Sequence, residues 1–181
     1  MAWLRANPAK ASYGVPSNGT IPHFTGWQLE QILKLSMTRV PYRGSAPIVN
    51  DLIGGHLPFG ITSLADAITQ HRAGTVRIVA VGSATRSPFA NDVPTLKESG
   101  VDLVADGWYG MWLPAGSSPD FAKKLSSAVA EVLAKPAAKE SLLAVTLIPV
   151  GSTPEELTKV LAADTAFWQP IVKATGYKIT N

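Results

Sequence analysis

The chain has 181 residues, of which 46% are hydrophobic and 16% charged, with a net charge of +3 and no cysteine. That length can bury a real core, in one domain or two small ones. The lack of cysteine excludes disulfides, thiolate catalysis and zinc-thiolate sites; the scattered charge gives no support to a nucleic-acid or membrane-surface role; and no apolar run is long enough to span a bilayer.

Taken in chain order, Trp3 to Ala6 reads as the end of a helix, stopped by Asn7-Pro8. Ser12 to Val15 is a short strand, and Pro16-Ser17-Asn18-Gly19 is a turn. Thr20 stands where it can cap a helix running to about Leu35, with Trp27, Leu29, Ile32, Leu33 and Leu35 as its apolar face. Met37 to Val40 is a strand. Pro41 and Gly44 bracket a turn around Tyr42 and Arg43. Ser45 then sits at an N-cap position, with Pro47 inside the first turn and Gly54-Gly55 as the stop. Strand Leu57 to Ile61 follows, and Thr62-Ser63 caps a helix from Leu64 to Arg72 that ends at Ala73-Gly74.

Val76 to Val81 is a nearly continuous apolar run and is expected to be a buried strand. Gly82 to Pro94 is a loop, and Thr95 to Ser99 one helical turn. Val101 to Leu113 is strand-like and carries two tryptophans, a tyrosine and two glycines. Next come a helix from Pro119 to Leu133, a short helix after Pro136 and a strand from Val145 to Val150. A long helix starts at Pro154, with Thr153 and Glu156 spaced as a capping box and a kink expected near Trp168 and Pro170. Strands alternating with helices predict βαβ units and a mostly parallel sheet, an α/β fold.

The chain holds no nucleophile elbow, Walker A loop, dinucleotide fingerprint or HExxH motif. His23, His56 and His71 are scattered without spaced partner ligands, so no metal site, cofactor or acid–base pair is expected. His56 and His71 read as surface residues at a helix stop and a helix end, and Asp51 as structural. The segment Ser17-Asn18-Gly19-Thr20 follows a strand and opens a helix. Its polar side chains and free N–H groups can hold a carboxylate, or form an ordinary capping turn. His23, one helical turn on, either borders that ligand or locks the loop from inside. Ser45 with Ala46, and Thr62 with Ser63, repeat the arrangement at two further parallel strand ends. The three loops should therefore cluster at the carboxyl edge of the sheet, where ligands of open α/β sheets bind. Trp108 and Tyr109 are either an apolar floor for a cleft or core packing. Arg43 either attracts anions or serves as a structural donor in its turn.

The wording of these segments resembles one family, the substrate-binding proteins of tripartite tricarboxylate transporters, also called Bug or TctC. That family has a strand entering VPY[KR]G, then a small-residue turn, PA, a helix containing DL, and GGQ. Here Val40-Pro41-Tyr42-Arg43-Gly44, Ala46-Pro47, Asp51-Leu52 and Gly54-Gly55 match, with His56 in place of the glutamine. The stretch from Ala6 to Gly26 looks like the family's ANPGKLSYASxGxGSxxHLxGE. Arg86-Ser87-Pro88, Asp92-Val93-Pro94-Thr95, Trp108-Tyr109-Gly110, Pro114-Ala115-Gly116, GSTPEEL and VKATGYKI follow in family order.

The resemblance implies a periplasmic-binding-protein-like fold of type II, with one nearly complete lobe and the carboxy-terminal part of the other. Residues 1–104 would be the second lobe, 105–113 a crossover strand and 114–181 part of the first lobe. It implies a periplasmic receptor for a small organic acid, a di- or tricarboxylate, that delivers it to membrane transporter subunits and does no chemistry. Many relatives carry an acidic or amide residue near Thr62-Ser63, and the neutral hydroxyls here favour a plain carboxylate over a ligand whose amine is recognised. Family members begin with a signal peptide and most of a first lobe, whereas Met1-Ala2-Trp3-Leu4-Arg5 lacks signal-peptide character. The expectation is a carboxy-terminal fragment that binds weakly alone. Two alternatives are a small α/β hydrolase or transferase using Ser45 or Ser83 with a histidine, and a homodimerising module joined through apolar surface near Trp3, Met111 and Trp112.

Overall fold

The computed structural model describes residues 2–179. Helix α1 (Ala2–Ala6) and a short 3-10 turn lead into β1 (Ser12–Val15). β1 is the middle strand of a parallel sheet ordered β2-β1-β3, with β2 at Thr38–Pro41 and β3 at Phe59–Gly60. Ser12 pairs with Thr38 and Val15 with Pro41 on one side, and Tyr13 pairs with Phe59 on the other. A central strand is covered on both faces, so Tyr13 and Val15 are fully buried.

Helix α2 (Ile21–Leu33) crosses from β1 to β2 and packs closely on the sheet, because Gly26 lies against the Tyr13 ring. A Cβ at Gly26 would come within 2.2 Å of that ring. This close approach shifts the packed face from the one expected. His23, Phe24, Thr25, Gly26 and Leu29 are buried, whereas Ile32 is exposed and Trp27 and Leu35 are only half-buried. α3 (Ala46–Ile53) connects β2 to β3 and buries Ile48 and Val49; α4 (Leu64–Arg72) follows β3 and buries Ala67 and Ile68.

The expected strand Val76–Val81 does not form. Among the described residues its pairing is reduced to one parallel bridge between Val81 and Thr95. The Val76 amide closes α4 on the Gln70 carbonyl, and the Ile78 amide donates to His71 Nδ1. Val81 is buried with Ile68, Ala90 and Val93, while Val79, two residues before it, is 72% exposed. Val101 and Leu103 pack on Leu29, but Val101 to Leu113 is otherwise irregular rather than strand.

Trp108–Pro170 forms a second compact unit, while residues up to Gly107 and from Ile171 onward form the first. The second unit holds α5 (Pro119–Ala134), α6 (Pro136–Ala144) and most of α7 (Pro154–Thr175). Ser118 caps α5 by accepting from the Phe121 amide at 3.1 Å. The capping box at α7 forms as read: Thr153 N–H donates to Glu156 at 2.8 Å, and the Glu156 amide to Thr153 Oγ1 at 3.1 Å. α7 runs on through Pro170. The expected strand Val145–Val150 is instead irregular, because Val145, Thr146 and Leu147 donate back to Leu142 and Leu143 to close α6. Among the described residues, none in the second unit is buried.

Candidate functional site

The three strand-to-helix loops lie along the carboxyl edge of the sheet, since each follows a strand of one parallel set. They are bonded to each other. The Gly44 amide donates to the Pro16 carbonyl at 2.9 Å, joining the second loop to the first, and Gly44 adopts the φ of +96° that its turn needs. The Thr62 hydroxyl meets Ser45 Oγ at 2.6 Å, joining the third to the second. Ser45, Thr62 and Ser63 are therefore brought together as side chains, and the Ser17–Thr20 loop joins them through the backbone.

Thr20, Ser45 and Ser63 occupy the N-cap positions of α2, α3 and α4, but none makes the side-chain cap bond expected of it. Thr20 donates instead to the Ser17 carbonyl at 2.9 Å, and Ser17 to the Asn18 carbonyl at 3.2 Å. At α2 and α3 the N-cap side chain thus leaves the first turn without a cap bond, with the positive end of each dipole at one edge, whereas at α4 the Asp66 amide donates to the Ser63 carbonyl. The helices α5 and α7 of the second unit are capped by side chains.

His23 lies beneath the Ser17–Thr20 loop. It is 2% exposed, and its Nδ1 accepts the Gly19 amide at 2.9 Å, so it holds the loop from inside. Its Nε2 faces the Arg39 guanidinium from β2. Burial first, then the Arg39 charge, pushes the ring down from 6.5 to about 4. Tyr177, beyond α7, stands edge-on to His23 at 5.6 Å, and Gly19 with φ +76° lies under its hydroxyl. On the far side of Arg39 are Tyr13 and Glu30. Burial, reinforced by the Glu30 charge, pushes the Tyr13 hydroxyl up to about 12, and burial raises Glu30.

Sequence reasoning missed Asp66. Its Oδ2 accepts from Ser63 Oγ at 2.6 Å and from Thr62 Oγ1 at 3.0 Å. Burial pushes this carboxyl up, but bonds from Ser63, Ser45 and Thr62 outweigh it and hold Asp66 below the usual range. The edge at Thr62-Ser63 is therefore not neutral: its hydroxyl protons are engaged by an internal carboxylate. The available signal was an acid three residues after a serine N-cap, which by itself reads as ordinary dipole compensation.

The other named residues fall as follows. Trp108 and Tyr109 belong to the second unit. Trp108 Nε1 donates to Asp164 at 2.5 Å and its ring meets Trp112 at 6.2 Å, while Tyr109 is 89% exposed. Asp51 is structural as read, accepting from the Tyr42 hydroxyl at 2.6 Å. Arg43 is exposed and makes no hydrogen bond or ion pair among the described residues. His56 is exposed, but His71 is no simple surface residue, since it ties α4 to Asp92 at 3.2 Å and to the Ile78 amide. Ser83 donates to the Thr85 carbonyl, and among the described residues neither it nor Ser45 meets a histidine. Among the described residues no three His, Asp or Glu side chains gather as a metal site, and no helix is long and apolar enough to cross a membrane.

A parallel α/β sheet with linked loops along its carboxyl edge places the chain with the periplasmic binding proteins by fold. The chain belongs to the tripartite tricarboxylate transporter receptor family, TctC, whose profile matches residues 1–177. It is 28% identical over 180 residues to protein BugT of Bordetella pertussis, covering 99% of this chain and 55% of that protein. Among solved structures, R. palustris Rpa4515 with adipate superposes with a TM-score of 0.85 at 28% identity, over 97% of this chain and 59% of that one. A structure described as a periplasmic transporter also gives 0.85, at 31% identity, over 98% of this chain and 59% of that one. The chain spans about half the length of the curated relatives it matches.

Proposed function

We propose that this chain serves a periplasmic receptor that binds a small organic acid, a di- or tricarboxylate or a related carboxylate, and passes it to the membrane subunits of a tripartite transporter without chemical change. The observation that carries this reading is the row of three helix starts without side-chain caps at one sheet edge. Backbone N–H groups at such ends are matched to carboxylate oxygens. The adipate held by the R. palustris relative supports the same ligand class. Ser17, Asn18, Gly19 and Thr20 form the leading contact surface, with bridging water completing the shell. His23 supports that loop from beneath rather than touching ligand. Ser45, Thr62 and Ser63 contribute less to an anion than their hydroxyls alone imply, because Asp66 already engages their protons. In this reading residues 1–104 are the second lobe of the receptor, 105–113 the crossover and 114–181 part of the first lobe.

Calorimetry with a panel of mono-, di- and tricarboxylates tests the proposal. One bank of loops supplies only part of the burial that a small-molecule pocket gives, so the expected result is detectable carboxylate binding, weaker than micromolar, that is lost when the ligand's carboxylates are amidated. Equal binding of the amides would overturn it. Self-association is a second reading, favoured by the exposure of Met111 and Trp112. The Trp3 side chain, expected in the same patch, lies outside the described residues. Light scattering on a size-exclusion column should then give a mass above 19.1 kDa; a strict monomer would exclude it.

A further inference from the structure

Tyr177 reaches the first loop from the far end of the chain. Its phenol lies so close over Gly19 that a Cβ there would stand 2.4 Å from the hydroxyl oxygen and 2.6 Å from the ring carbon that bears it. The ring also meets His23 edge-on at 5.6 Å and Phe24 edge-on at 5.8 Å, both from the first turn of α2. Behind it, the Tyr177 amide donates to Thr175 Oγ1 at 3.1 Å. Packing therefore places the ring, and the hydroxyl takes no part in that: among the described residues it makes no hydrogen bond. Nor is it sealed. Among the described residues the one buried side-chain oxygen or nitrogen without a partner is Gln28 Oε1, so the phenol oxygen of the half-buried Tyr177 is open to solvent. The backbone beside it is in the same state. The Gly19 amide is taken by His23 Nδ1, and Pro22 has no N–H, but the amides of Thr20, Ile21 and His23 have no acceptor among the described residues. A free O–H and these free N–H groups thus lie within one turn of Gly19.

We propose that Tyr177 touches the ligand: its hydroxyl donates to the carboxylate that the first-turn amides of α2 hold at the Ser17–Thr20 loop. The proposal rests on the receptor reading and adds to it a contact from the opposite end of the sequence. A carboxylate has about four lone-pair sites on its two oxygens, enough for the phenol and the amides together. The O–H···O⁻ bond is charge-assisted and roughly twice as strong as a neutral one, whereas in the free protein the same O–H meets water. The aromatic ring holds the oxygen in place at low entropic cost, having two side-chain torsions to fix.

Tyr177→Phe separates this role from packing, because it keeps the ring against Gly19, His23 and Phe24 and removes the hydroxyl alone. The test is an NMR titration of the labelled 181-residue chain and of this variant with acetate, succinate and citrate. The variant should melt within about 2 °C of the unmodified protein, since an unpartnered hydroxyl open to water adds little stability. Its affinity for the carboxylate that binds the unmodified protein best should fall by at least about fivefold. In the unmodified protein the Tyr177 ring resonances should move with the same midpoint as the Gly19 and Thr20 amides as that carboxylate is added. An affinity within about twofold of the unmodified protein, a loss of affinity matched by a fall in melting temperature, or a Tyr177 ring indifferent to a carboxylate that shifts Gly19 and Thr20 would each overturn the proposal. If the variant fails to fold by circular dichroism, the ring resonances of the unmodified protein still decide it. Absence of any response to all three carboxylates in the unmodified protein is a different result, and it overturns the receptor reading itself together with this contact.

Discussion

Gly19 carries two constraints that no other residue type meets. Its φ of +76° lies in the left-handed region, and a Cβ there would stand 2.4 Å from the Tyr177 hydroxyl. Gly19→Ala should therefore cost about 1–3 kcal/mol by urea denaturation, from backbone strain and overpacking together. Ser17→Ala, two residues away and exposed, should stay within about 0.5 kcal/mol. The turn at Gly19 was legible in the sequence, because Pro16-Ser17-Asn18-Gly19 is built of turn formers. Its partner was not, because Tyr177 comes from the opposite end of the chain and no local pattern links the two. Asp66 was hidden for a related reason. Its meaning depends in part on Ser45, which comes beside Thr62 and Asp66 only when the loops after β2 and β3 are placed side by side.

The elements that could be read were those whose signals are local. β1 at Ser12–Val15 and α4 at Leu64–Arg72 have the bounds that turn residues and caps assign to them. Val76–Val81 and Val145–Val150 have the composition of strands but lack what composition cannot supply, a ladder partner. In both, the chain turns its amides back onto the preceding helix. The apolar face of α2 was read in part: Leu29 and Leu33 pack as expected, but hydrophobic spacing says nothing about how near a backbone can come, and Gly26 brings His23, Phe24 and Thr25 inside as well. Capping separates the two units at this scale. Thr153→Ala removes an acceptor used by the Glu156 amide and should lower stability by about 1 kcal/mol, seen as a lower melting temperature. Thr20→Ala has no such bond to lose at α2 and should cost less, its hydroxyl serving only the turn back to Ser17.

In the molecule as a whole, burial is uneven. The unit built around β1 has two packed clusters, one around Val81 and Val93 and one around Val101 and Leu103. The unit from Trp108 to Pro170 has amphipathic helices and not one buried residue among those described, with Met111 63% and Trp112 62% exposed. Trp112→Ser with Met111→Ser should therefore reduce binding of a hydrophobic dye and lower any self-associated mass, with little effect on the melting of the sheet-containing unit. The sheet edge has the opposite character. Pro16 holds Gly44, and Ser45 holds Thr62, so the first, second and third loops are stitched in series. On the receptor reading proposed above, a preference for one solute over another would be carried by the three loops as a block. On that reading, transplanting a single loop from another receptor would break a stitch before it conferred a new preference, so the three loops would have to be exchanged together.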